Sequence, residues 1–122
     1  MSAKSHVRMF KPQFAALVES GAKQQTVRPT PKRLPKAGDR ISLRMWTGKP
    51  YRSKQRILRD AMISEVASCE IYSSDVYVGG YPQPRDEFAV ADGFANYEEL
   101  CKWFQSVHGL PFSGILIKWS NE

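Results

Sequence analysis

The chain has 122 residues, 42% of them hydrophobic, and a formal net charge of +6. That length suits one domain with one core, and that hydrophobic share excludes a disordered polymer. No apolar run approaches the roughly 18 residues a membrane span requires, and the start, Met1-Ser2-Ala3-Lys4-Ser5-His6, lacks the apolar centre of a signal peptide. Cys69 and Cys101 lie far apart without CxxC spacing, so the expectation is reduced thiols in a cytoplasmic protein, with no metal, cofactor or disulfide framework.

The charge is divided unevenly along the chain. Residues 1–60 carry 15 Lys/Arg against three acids, Glu19, Asp39 and Asp60, a net +12. The remainder carries three Lys/Arg against nine acids, a net −6. A basic half of this strength attracts polyanions, with an affinity that falls steeply with salt.

In chain order, Val7 and Met9 alternate with polar neighbours and predict a short strand over His6–Phe10. A helix follows from Pro12, a residue suited to a first helical turn. Phe14, Leu17 and Val18 form its apolar face, and Gly21 stops it. Gln25–Arg28 resumes as a strand. The loop Pro29-Thr30-Pro31-Lys32-Arg33-Leu34-Pro35 is too rich in proline for helix. Gly38-Asp39 turns into the strand Arg40–Trp46, with Ile41, Leu43 and Met45 on one face and Arg40 and Arg44 on the other.

Thr47–Lys54 reads as a basic loop containing Tyr51. Ile57–Tyr72 reads as a long, bent strand, because neither of its faces is cleanly apolar, and Asp75–Val78 as another short one. Gly79–Ala95 is expected to be a long loop that offers Tyr81, Phe88 and Phe94 as aromatic groups for a pocket roof, with packing beneath the second helix as a staple before Asn96 the preferred reading for Phe94. Asn96 caps a second helix with Glu99 three residues on. Leu100, Trp103, Phe104 and Val107 make its core face, and Phe112–Trp119 closes the fold as a strand. Trp46, Trp103 and Trp119 are assigned to the core, and His6 and His108 stand isolated with no ligand set.

The richest segment chemically is Gly21-Ala22-Lys23-Gln24-Gln25-Thr26-Val27-Arg28, where an amine, a hydroxyl and a guanidinium gather at the end of a helix and the start of a strand. Rigid elements present polar groups to a cleft at such junctions. A Lys near a Thr reads as a base beside a nucleophile. Alternation puts Gln24, Thr26 and Arg28 on one strand face. Lys23 joins them only if Gly21–Lys23 still belongs to the turn. Arg28 offers two parallel hydrogen bonds to a phosphate or carboxylate, or else pairs with Asp39 or Asp92. Lys32, Arg33 and Lys36, with Arg52 and Lys54 near Tyr51, interleave cations with an aromatic ring, as single-stranded RNA binding requires.

The order helix, Gly-x-Lys-x-x-Thr-x-Arg, basic loop and Gly-Asp turn resembles the ASCH domain family, small β-barrel proteins of the PUA-like superfamily. The signature residues are Gly21, Lys23, Thr26 and Arg28, then Gly38-Asp39. Asp92-Gly93-Phe94 and Asn96-Tyr97-Glu98-Glu99-Leu100 are similar to that family's second half. The resemblance covers roughly residues 7 to 119 and implies a single α+β domain over 1–122, a PUA-like mixed or antiparallel β-barrel of five or six strands with two main helices.

It also implies a basic cleft that binds RNA or an RNA-derived, modified nucleoside; neither a membrane nor a protein partner is expected. An alternative implied by one branch of the family is an amidohydrolase that deacylates N4-acetylcytidine through a Thr, a Lys and a Glu. Lys23 and Thr26 match the first two, and Asp92, or Glu87 farther back, stands for the third. Gln24 occupies a place where that branch often has a second Thr. A metal-assisted ribonuclease is the third reading, and the chain shows no ligand cluster for it.

Overall fold

The computed structural model describes residues 4–120. Residues 1–3, which belong to the segment read above for a signal sequence, lie outside the described residues. The elements run β1 (Ser5–Met9), α1 (Pro12–Ser20), β2 (Gln25–Arg28), β3 (Arg40–Trp46), β4 (Gln55–Ile71), β5 (Val76–Val78), β6 (Tyr81–Pro82), α2 (Arg85–Ala91), α3 (Tyr97–Val107) and β7 (Phe112–Ser120).

The fold is mixed α+β, and its seven strands form one mixed sheet. The path β1-β3-β4-β5-β6 is extended by β7, which pairs with both β4 and β2. The β1–β3 ladder is parallel and the others are antiparallel. No ladder among the described residues joins β1 to β2 or β6, so the expected barrel of five or six strands with two helices is corrected to an open sheet of seven strands with three helices.

β4 accounts for much of this layout. It pairs with β3 from Gln55 to Met62 and with β7 from Met62 to Ile71, and its register shifts between Ile63 and Glu65. This is the long, bent strand its two mixed faces predict, since each half is covered by different neighbours.

Four further sequence readings are overturned here. The segment expected to be one loop over Gly79–Ala95 contains β6 and α2. Its glycines and prolines punctuate the chain so closely that a seven-residue helix between them escapes periodicity. Asp86 and Glu87 in its first turn favour the helix dipole, and Phe88 and Ala89 are buried against the core.

β1 also presents the opposite face from the one expected. Val7 is exposed, while His6 and Phe10 are buried. His6 is not isolated: its Nε2 lies 2.9 Å from Asp39 Oδ2. Asp39 further accepts the backbone N–H groups of Lys4 and Lys36. A buried pair whose carboxylate gathers three hydrogen bonds can outweigh the apolar pattern of a five-residue strand. Trp46, assigned to the core, is only half-buried and packs on the exposed ring of Tyr51.

The core has two parts on the two sides of β7. Ile115, Ile117 and Trp119 pack with Phe10, Phe14, Val18, Ile41, Leu43 and Ile63. Phe112 and Leu116 pack with Val27, Ile71, Phe88, Leu100 and Phe104 under α2 and α3. Phe94 and Trp103 touch both clusters. The cavity described next opens at that seam.

Candidate functional site

Three segments converge on the seam. α1 ends at Gly21, whose N–H donates to the Val18 carbonyl, and the Lys23 N–H donates to the Leu17 carbonyl. This extra winding keeps Lys23 in the turn, since β2 begins only at Gln25. The condition that the alternation imposed on Lys23 is therefore met. β2 is held by β7, with Thr26 opposite Ile117 and Arg28 opposite Ile115. The third segment is the end of α2, where Asp92 caps the helix and Gly93 turns the chain.

Lys23, Thr26, Arg28 and Asp92 line one cavity of about 220 Å³. Its walls are Phe10, Phe14, Phe94, Trp103 and Phe104. Phe94 and Trp103 each pack on Phe14, with ring centroids 5.4 and 5.8 Å apart respectively. The pocket is thus an apolar, aromatic slot with a few polar groups on one wall, the usual composition of a small-molecule site. Its volume lies below the roughly 300–1,000 Å³ of sites for drug-sized ligands, so it suits a group about as large as one nucleobase.

The polar wall is tightly packed. Lys23 is 3% exposed, and its Nζ donates to the Asp92 backbone carbonyl and lies 3.4 Å from Asp92 Oδ1. Asp92 is equally buried, and Gln25 Nε2 donates to the same Oδ1 at 3.4 Å. Burial pushes the Lys23 ammonium below its ordinary pKa, and only the Asp92 carboxylate and its hydrogen bond work against this. Burial likewise pushes the Asp92 carboxyl up, against the pull of Lys23 and Gln25. Lys23 Nζ also sits 5.2 Å from the centroid of Phe14.

The Thr26 hydroxyl has a different neighbour. Arg28 Nε donates to its oxygen at 3.0 Å, and Arg28 Nη2 donates to the Met9 carbonyl at 2.8 Å. With the oxygen already accepting from a cation, the hydroxyl proton is left to be given elsewhere, and negative charge developing on the oxygen is stabilised. Burial, followed by the charge of Arg8, lowers Arg28 to a pKa of about 10, so it stays a cation near neutrality. Arg28 makes no ion pair with Asp39, which His6 already occupies.

Two glycines make this packing possible. A Cβ on Gly114 of β7 would fall 2.2 Å from the Arg28 carbonyl oxygen, so β2 can lie where it does only beside a bare backbone. Gly93, at φ +97°, holds a left-handed turn, and a Cβ there would sit 3.1 Å from both Lys23 Cδ and the Phe14 ring.

Other candidates lie elsewhere. Glu87 is exposed on α2 and faces a separate depression, so Asp92 is the acid in the pocket. Gln24 is exposed, and its amide donates back to the Gly21 carbonyl. Lys32, Arg33, Lys36, Arg52 and Lys54 are exposed and line no part of the cavity, and Tyr51 is 88% exposed. Tyr81 is exposed and Phe88 belongs to the core, leaving Phe94 as the one pocket aromatic of the three proposed. No cluster of three or more His, Cys, Asp or Glu side chains suited to a metal is present among the described residues.

Sequence reasoning missed Phe10, Phe14, Gln25 and His108 at the site, and took Trp103 for simple core. His108 lines the pocket and packs on Phe104 and Phe112. Phe14 and Trp103 carry ordinary core periodicity, and only the meeting of α1 with α3 turns that periodicity into a pocket wall. Comparison with protein-family models, with curated proteins and with solved structures gives no match.

Proposed function

We propose that the pocket binds an RNA-derived nucleoside, and that the protein is an ASCH-type domain whose basic half brings it to RNA. The observation that carries this reading is the meeting of Lys23, Thr26, Arg28 and Asp92 on one wall of an aromatic slot the size of a single base. Contact with the aromatic wall supplies affinity for any base, and the polar wall selects among them by hydrogen bonds. The test is an equilibrium titration of the four ordinary nucleosides and N4-acetylcytidine into the protein. Saturable binding is expected, weakened at least about tenfold by Thr26→Val. Absence of saturable binding to any of them by the folded protein would refute the reading.

A second reading is favoured by a specific observation, the lysine whose pKa burial depresses in the same pocket as a polarised hydroxyl. It is deacylation of N4-acetylcytidine. Neutral Lys23 takes the Thr26 proton while Oγ1 bonds to the acyl carbon. The bond from that carbon to N4 then breaks, and the Lys23 ammonium returns the proton to the leaving amine. Water hydrolyses the resulting ester and frees the acid. Asp92 orients Lys23 throughout. Cytidine release, followed by ultraviolet absorbance, should be lost in both Thr26→Ala and Lys23→Ala. Turnover that survives in either variant removes that residue from the step.

A further inference from the structure

At the rim of the pocket, cations gather without carboxylates to answer them. Lys11 and Arg28 line it, and neither forms an ion pair with a carboxylate among the described residues. Lys11 Nζ stands 5.5 Å from the Trp103 ring centroid, and the Arg28 guanidinium carbon 4.8 Å from that of Phe10. Arg8, half-buried on β1, stands outside the lining; its guanidinium donates to the neighbouring Val7 carbonyl and its charge reaches Arg28.

The positive field at this rim acts on Arg28 and His108. Behind the effect of burial, Arg8 lowers Arg28, while Arg28 and Lys11 lower His108. Asp92 is the one carboxylate that acts on Arg28, and it is already engaged by Lys23 and Gln25. α1 starts at the same rim with no side-chain cap and no acidic residue in its first turn, so its positive end adds to the field. Arg28 retains donors: its guanidinium carries five N–H groups, and its bonds to Thr26 and Met9 use two of them.

We propose that Arg8, Lys11 and Arg28 form a phosphate subsite, so that the ligand of the pocket is a nucleoside monophosphate rather than a free nucleoside. This rests on the reading that the pocket holds a nucleoside. A phosphate monoester carries a charge of about −1.5 to −2 at neutral pH, against a single negative charge on an RNA diester. Two cations in the lining, with the charge of Arg8 added beside Arg28, answer the monoester better. Lys11 and Arg28 line the same cavity as Phe14, Phe94 and Trp103, so a base held against those rings brings its sugar phosphate within reach of these cations.

The test is calorimetric titration at low salt of five nucleosides (the four ordinary ones and N4-acetylcytidine), their 5′- and 3′-monophosphates, inorganic phosphate and a short RNA. At least one monophosphate should bind about tenfold or more tightly than its own nucleoside. Arg8→Gln and Lys11→Gln should each reduce that ratio several-fold, with unchanged thermal melting as the check on folding. Equal binding of nucleoside and monophosphate would overturn the phosphate subsite and leave the nucleoside reading standing. Binding of none of the nucleosides or monophosphates would overturn both. RNA binding that the monophosphates fail to reproduce, or an unchanged ratio in both variants, would overturn the subsite as drawn.

Discussion

Lys23 and Asp92 show how the character of one side chain is set by its surroundings. Each is 3% exposed, and their charged atoms are 3.4 Å apart. Removing one member of such a pair strands the other: Lys23→Met should cost about 3–5 kcal/mol in chemical unfolding, and adding Asp92→Asn should recover much of it. Additive losses in that double-mutant cycle would show that the two side chains are not coupled. For deacylation the sign of the pH effect follows from the lowered Lys23 pKa. The neutral amine becomes available below the ordinary value of about 10.4, so kcat/KM should rise with pH and level off before that value. Asp39 gives the matching case for stability. The hydrogen bond from His6, then those from the Lys4 and Lys36 backbone, hold its pKa down to about 2. Its contribution is therefore complete above the unfolded value of about 3.9 and is lost as pH falls through the folded one. Denaturant titrations between these limits should show stability falling with acid in the wild type, with a shallower slope in Asp39→Asn.

The elements matter because they hold these groups in register. α3 starts at Asn96, whose side chain accepts the Glu99 N–H at 2.9 Å. Asn96→Ala should cost about 1 kcal/mol, read as a lowered denaturant midpoint. The more informative substitution is Gly114→Ala, because the added carbon meets the Arg28 carbonyl at 2.2 Å. It should destabilise the protein by about 1–3 kcal/mol and move β2, with Thr26 and Arg28, away from β7. Nucleoside binding should then fall by more than the stability loss explains, since the folded fraction remains high. Binding equal to wild type would mean that the β2–β7 spacing does not set the site.

Across the whole molecule the positive charge serves two places. Lys11 and Arg28 line the pocket and the charge of Arg8 reaches Arg28, whereas Lys32, Arg33 and Lys36 belong to an exposed loop and Arg52 and Lys54 to the β3–β4 hairpin. If the exposed set meets RNA through phosphates, Lys32→Ala with Arg33→Ala should flatten the dependence of RNA affinity on salt by about two in log–log slope. A nucleoside titrated into the same variant should bind as it does to wild type. An unchanged RNA slope would exclude that loop from the contact.

Much of this was legible in the residues themselves. Local rules suffice where an element is long or its ends are marked: the Asn96 cap, the Pro12 start, the alternation of Ile41, Leu43 and Met45, and the mixed faces of β4 are all short-range signals, and the observed elements follow them. The polar set Lys23, Thr26 and Arg28 was legible for the same reason, being contiguous in the chain. What only tertiary structure decided is everything that requires distant segments to meet. Asp92 reaches Lys23 across 69 positions, and His6 reaches Asp39 across 33 and turns β1 over in doing so. Phe14 and Trp103 become pocket walls only because α1 and α3 pack at one seam. The open sheet was likewise beyond local signals, because whether strands close depends on which edges remain unpaired after β4 has bent between its neighbours. Periodicity reports which face of an element avoids water, but not which other face it will find there.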